Sequence, residues 1–148
     1  MIFEVRPISA DETLDLRSRI LRPGQSVELC RYTEDALPTT FHLGVFTDRR
    51  LVCNGSFIQQ AHPRFVQAQL PYRLRGMASD PDFQKKGFGS SLISTAKRIL
   101  QEKNCDLLWF NARTSAEIFY QKLDFKQIDE IFDIPQIGPH KVMYSWLK

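Results

Sequence analysis

Apolar positions along this chain switch repeatedly between the two-residue period of strands and the 3.6-residue period of helices. Phe3 to Pro7 predicts a short first strand, and Ser9-Ala10-Asp11-Glu12 spells a capping box that opens a helix. Leu14, Leu16, Ile20 and Leu21 supply its apolar face, and Pro23-Gly24 ends it. A shorter helical piece is expected around Val27 to Tyr32. Thr40 to Thr47 and Leu51 to Gln60 flank Asp48-Arg49-Arg50 as a β-hairpin. A further strand runs from about Leu70 to Ser79. The helix after it carries Phe88, Leu92, Ala96, Ile99 and Leu100 at helical spacing. Cys105 to Asn111 is a nearly continuous apolar run, as expected of a strand covered on both faces. Thr114 is placed to cap a short helix with Ala116, Ile118, Phe119 and Leu123. Two last strands are expected, near Phe125 to Phe132 and Val142 to Leu147, with a loop from Asp133 to Pro139 between them.

The order is strand, helices, a β meander, helix, strand, helix and two strands, which predicts a mixed sheet with helices on its faces, an α/β (α+β) domain. With 148 residues, no internal repeat and no linker-like stretch, the chain is expected to form a single domain over 1–148. A hydrophobic fraction of 43% and a charged fraction of 25% fit an ordinary globular protein rather than a disordered one. The net charge of +3 is small and its basic residues are scattered, which favours one polyanionic ligand over nucleic acid. The N-terminus MIFEVRPIS lacks the apolar segment of a signal peptide, and no apolar run is long enough for a membrane span. Cys30, Cys53 and Cys105 have no metal-ligand spacing, so they are read as buried reduced thiols in a cytoplasmic protein, with no metal.

The chemistry concentrates at Gln84 to Gly89, QKKGFG, between the strand ending Met77-Ala78-Ser79-Asp80-Pro81 and the helix SSLISTAKRILQEK. A glycine turn at a helix start leaves backbone N–H groups unpaired at the positive end of the helix dipole, a seat for phosphate. Lys85 and Lys86 add mobile positive charge. A Walker A loop is excluded by the close spacing of Gly87 and Gly89 and the lack of a GK pair. A dinucleotide fingerprint is excluded because Leu92 stands where the third glycine belongs.

The remaining pattern, QxxGxG between strand and helix, resembles the acetyl-CoA pyrophosphate loop of the GNAT superfamily, the GCN5-related N-acetyltransferases. The lead-in LRGMASDPDFQ is similar to that family's fourth strand and bulge, and WFNARTSAEIFYQKLDFKQI resembles its second motif. The likeness extends to GPHKVMY in the last strand. It implies a GNAT-type, largely antiparallel twisted sheet, splayed between the fourth and fifth strands, with pantetheine in the notch. By the same resemblance Met77, Ala78 and Ser79 pair with pantetheine, the segment Gln84, Lys85, Lys86, Gly87, Phe88, Gly89 and Ser90 wraps the pyrophosphate, and Asn111 sits beside the pantetheine amides. Tyr120 matches the tyrosine that protonates the departing thiolate, a role suited to a phenol that stays protonated at neutral pH.

The chain departs from the family at two places. Asp124 replaces the usual glycine, at modest backbone cost because aspartate tolerates a left-handed conformation. Arg73 and Arg75 occupy the strand where many relatives carry a glutamate base. Alternation puts Arg73, Arg75 and Met77 on one face, and arginine does not accept a proton, so Glu28, Glu34, His42 and His140 are the candidate bases. If that face lines the acceptor site, guanidinium groups favour an amine that also bears a carboxylate or phosphate. The expected activity is acetyl transfer from acetyl-CoA to a small-molecule amine by direct attack, in a monomer or homodimer. The alternative is a catalytically silent acyl-CoA sensor.

Overall fold

A computed structural model describes residues 2–148. Among the described residues, eight strands form one sheet. β1 (Glu4–Ile8), β2 (Phe41–Thr47), β3 (Arg50–Gln59) and β4 (Pro71–Ser79) are successively antiparallel. β5 (Leu107–Arg113) runs parallel to β4, and β8 (Gly138–Trp146) runs antiparallel to β5. β6 (Lys126–Gln127) and β7 (Phe132–Ile134) both pair with β8.

Helices cover opposite faces. α2 (Phe88–Glu102) packs Leu92, Ile93, Ala96 and Leu100 into the main core with Leu43, Val45, Phe57 and Leu74. On β3, a Cβ at Gly55 would point at Leu92, whereas the next residue, Ser56, is hydrogen-bonded by Arg17 from the first helical segment. α1 (Ala10–Leu16) therefore lies on the other side of the sheet. A smaller cluster, Phe65, Leu107, Trp109 and Val142, fills the face opposite α2 beside β5. There the 60–70 loop covers the sheet, held by the Trp109 Nε1–H bond to the Gln60 carbonyl at 2.9 Å.

Several local expectations correspond to observed chemistry. Ser9 and Glu12 exchange both capping-box bonds, 3.2 and 2.9 Å, at the start of α1. The β2–β3 turn is reduced to Asp48 and Arg49, both left-handed, as a tight two-residue hairpin requires. Asp124 is left-handed at φ 68 and ends α3 (Glu117–Gln121).

Others need correction. The first helix widens into a π turn over Arg17–Leu21, where Arg22 N–H reaches back to the Arg17 carbonyl. The segment after it forms two short 3₁₀ turns, Val27–Cys30 and Thr33–Ala36. Thr114 caps no helix, because it lies inside a 3₁₀ turn, Thr114–Ala116, with no side-chain capping bond at either helix start. The expected 133–139 loop is mostly strand. Pro135 and the left-handed Gln136 make a tight turn closed by Ile137 N–H to the Ile134 carbonyl, so β7 and β8 run nearly up to it.

Candidate active site

β4 and β5 pair only from Pro71 to Arg73 against Leu107 to Trp109. Beyond that rung no pairing joins them, and the opening between them is part of a cleft of about 740 Å³. The splay has a local cause. β4 carries a bulge where the register jumps from Ser56↔Arg75 to Asn54↔Ala78, centred on Gly76 at φ +65. A Cβ on Gly76 would stand 3.0 Å from Arg17 Nε and 3.2 Å from the Tyr32 hydroxyl, so both conformation and space require glycine. On the other side, Asn54, fully buried, donates Nδ2–H to the Gly76 carbonyl at 3.3 Å.

The bulge overturns the alternation expected for β4. Arg73 lies over Trp109 and Arg75 over Tyr32, on the face away from α2. Met77 has crossed to the α2 face: its sulfur lies 3.4 Å from a Cβ built on Gly55, beside Leu74 and Leu92, and its methyl 3.2 Å from one built on Gly89.

The glycine loop sits at the open end of the cleft. Lys85 (φ 62) and Gly87 (φ 82) are both left-handed, and Gly87 occupies the N-cap position of α2. No side chain caps that end and no acidic residue stands in its first turn. The first intrahelical bond there is Ser91 N–H to the Gly87 carbonyl, which leaves the Phe88, Gly89 and Ser90 N–H groups without i−4 partners. Gly87 and Gly89 matter for different reasons. Gly87 needs its positive φ, with open space around it, whereas a Cβ on Gly89 would press within 3.2 Å of Met77 and 3.3 Å of Phe119. Asp80 anchors the lead-in: its buried carboxylate accepts from Asp82 N–H and pairs with Arg50 at 2.7 Å and Arg19 at 3.5 Å. The Asp82 amide bond and both arginines hold it below the usual carboxylate range, against the effect of burial.

Of the residues singled out in the sequence, Met77, Ala78, Ser79, Gln84, Lys85, Gly87, Phe88, Gly89, Ser90, Asn111 and Tyr120 all line the cleft. Lys86 is exposed and lies off its wall. The Phe88 ring is buried against Phe3 and Phe83, so only its backbone is available to a ligand. Tyr120 is packed by Phe110 at 4.5 Å and Phe119 at 5.0 Å. Burial, with the neighbouring Cys53, pushes its phenol well above the ordinary tyrosine range. Burial also raises the thiols of Cys53 and Cys105 to about 11, which keeps both un-ionised at neutral pH.

The four candidate bases separate clearly. Glu28 is exposed and chelated by Arg31. Glu34 pairs with Arg75 at 3.3 Å. His42 is buried in a network that runs from Arg17 to Ser56 Oγ (2.7 Å) and on to His42 Nδ1 (2.7 Å), with His42 Nε2 facing the Asp35 carbonyl. Burial lowers its pKa, so it stays neutral, a structural member rather than a base. His140 alone of the four lines the cleft. Its Nδ1 lies 2.7 Å from the Gly138 carbonyl, which fixes Nδ1 as the N–H and leaves the Nε2 lone pair free. Register aligns His140 with Arg113 on β5, on the face shared with Asn111 and Trp109.

Sequence reasoning missed the support of this wall. Arg17 is 1% exposed, grips Asp35 through two bonds of 2.8 and 2.9 Å, and stacks on Tyr32 at 3.9 Å. Its signal was present, since Arg17 falls between Leu14 and Leu21 at apolar helical spacing. Burial pushes the Asp35 carboxyl up, but the Arg17 and Tyr32 hydrogen bonds outweigh it and hold the group below its ordinary value.

Residues 47–127 match the acetyltransferase (GNAT) domain family. The chain is 44% identical over 147 residues to the uncharacterized N-acetyltransferase YitI of Bacillus subtilis, covering 99% of this chain and 98% of that one. Its fold is similar to FeeM, an N-acyl amino acid synthase from uncultured soil microbes, with a TM-score of 0.77 at 17% identity over 99% of this chain and 91% of that one. It is also similar to an aminoglycoside 6'-N-acetyltransferase complexed with coenzyme A, with a TM-score of 0.74 at 13% identity over 100% of this chain and 98% of that one. A splayed β4–β5 pair, a bulge at its rim, an uncapped helix start facing the opening and a full-length N-acetyltransferase relative lead to one conclusion: the chain belongs to the GNAT family of acetyltransferases.

Proposed function

We propose that residues 1–148 form one catalytic domain that transfers an acyl group, acetyl in the first instance, from acetyl-CoA to the amine of a small acceptor. The observation that carries this reading is the start of α2: three backbone N–H groups without intrahelical partners, no side-chain cap and a left-handed Gly87, at the mouth of a cleft that Tyr120 also lines. The pyrophosphate takes those donors, and pantetheine lies along the unpaired edge of β4 at Met77 to Ser79, with Asn111 opposite.

The amine nitrogen attacks the thioester carbonyl from the face of the sheet away from α2. The bulge main chain at Met77 and Ala78 polarises the carbonyl oxygen. His140 Nε2 takes the proton that the amine must lose, and the carbon–sulfur bond breaks toward Tyr120, whose O–H is donated to the departing sulfur. Base and acid thus serve opposite faces of the notch. The un-ionised Cys53 and Cys105 favour direct transfer over an acyl-cysteine intermediate. Arg73 and Arg75 on the acceptor side suit an amine that carries an acidic group.

The test is calorimetric binding of acetyl-CoA beside release of free thiol with a broad amine panel. Binding with turnover of at least one amine is expected. Binding without any turnover would instead indicate a sensor, and absence of binding would remove the assignment.

A further inference from the structure

Arg73 occupies an unusual position for a charged side chain. It belongs to the last paired rung of β4 and β5, opposite Trp109, at the apex where the strands part. Its guanidinium carbon lies 5.0 Å from the centre of the Trp109 ring, and its Nε is buried with no hydrogen-bond partner. Among the described residues it forms no ion pair, whereas its neighbour Arg75 is paired with Glu34 and Arg17 with Asp35. Burial, followed by repulsion from Arg75, pulls its pKa down to about 10, which leaves it charged at neutral pH.

A half-buried guanidinium with one buried, unused N–H is costly unless something compensates its charge. The side chain lines the cleft, so the partner can come from solution. With Glu34 already opposite Arg75, this pair of arginines carries one uncompensated positive charge, the match for a monoanion rather than a dianionic phosphate. The two terminal nitrogens, which are not buried as Nε is, form a planar fork that donates to both oxygens of a carboxylate.

We infer that Arg73 is the acceptor-recognition residue and that the amine acetylated here belongs to a molecule bearing a carboxylate, which docks on the terminal N–H groups of the Arg73 guanidinium at the apex of the notch. This rests on the acyltransferase reading of the cleft. Trp109 backs the guanidinium plane, and Arg75, held by Glu34 and stacked on Tyr32 at 3.9 Å, adds field without competing for the same fork.

The test uses the full chain saturated with coenzyme A. N-acetyl derivatives of the amino acids, each beside its carboxamide, are titrated by calorimetry. The Arg73 Nε–H resonance, assigned by its loss in Arg73→Gln, is followed by NMR. At least one carboxylate should bind about tenfold tighter than its carboxamide, since a hydrogen bond to a charged group is at stake, and should move that resonance. Arg73→Gln should abolish the preference, and Arg73→Lys, which keeps the charge without the fork, should restore only part of it. Coenzyme A affinity in both variants should stay within about twofold of wild type, which also reports that they fold. No carboxylate preference anywhere in the panel, a preference that survives Arg73→Gln, or tighter binding of methyl phosphate than of every carboxylate overturns the inference. In those cases intact coenzyme A binding leaves the acyltransferase reading standing, whereas a wild-type chain that fails to bind coenzyme A removes both.

Discussion

The two walls of the cleft are built from different materials. The wall proposed for the cofactor is backbone: a left-handed glycine, a second left-handed residue before it, and the bare N–H groups at the start of α2. The wall proposed for the acceptor is side chains: Arg73, Arg75, His140 and Tyr32, braced from behind by Arg17, Asp35 and Ser56. On the proposed reading, backbone donors recognise a group common to every acyl-CoA and tolerate change in the residues between the glycines. Side-chain recognition is specific, and each member depends on neighbours brought from far along the chain.

Removing the brace should break the second wall most severely. Arg17→Met leaves the Asp35 carboxylate buried without its cation, and such losses cost about 3–5 kcal/mol, read as a drop in the urea midpoint. Chemistry comes next. Tyr120→Phe and His140→Gln should each lower kcat by about 100-fold with coenzyme A affinity preserved, measured on whichever amine of the panel turns over. The cofactor wall should yield through conformation instead: Gly87→Val forces a β-branched residue to φ +82, a strain of about 2 kcal/mol, so coenzyme A should dissociate about 30-fold more readily in calorimetry. An unchanged affinity there would mean that backbone donors at this turn do not hold the cofactor.

The smallest effect is a pH dependence of stability. His42 has a folded pKa below its unfolded value, so the unfolded chain binds more protons as pH falls below the ordinary imidazole range, and stability declines. Asp35, also lowered, adds a second decline at more acidic pH as the fall reaches its folded pKa. His42→Asn should flatten the first part of the Tm profile and leave the second. A profile unchanged by the substitution would separate His42 from the brace.

Legibility in the sequence followed the same division. The Ser9 capping box, the Asp48-Arg49 turn and the QKKGFG loop are short-range devices, in which a few adjacent residues carry the whole physical cause. Met77 leaves the face it was expected to share with Arg73 and Arg75, because strand alternation assumes an unbroken pleat, and the bulge at Gly76 is made by residues on three other segments: Asn54, Arg17 and Tyr32. The Thr114 cap and the 133–139 loop failed for related reasons, since pairing along β8 decided how far each strand extends. His140 could be named in advance but not chosen, because only tertiary contacts engage both ring nitrogens of His42 and leave His140 at the cleft with Nε2 unused.

The chain's amino acids alone determined the uncapped helix start proposed to receive phosphate, because a glycine turn before a helix acts through its own backbone. Only the tertiary structure decided which titratable groups stand on the proposed acceptor side, because buried charges take their meaning from partners: Arg17 found Asp35, Arg75 found Glu34, and Arg73 was left at the cleft with no ion-pair partner among the described residues.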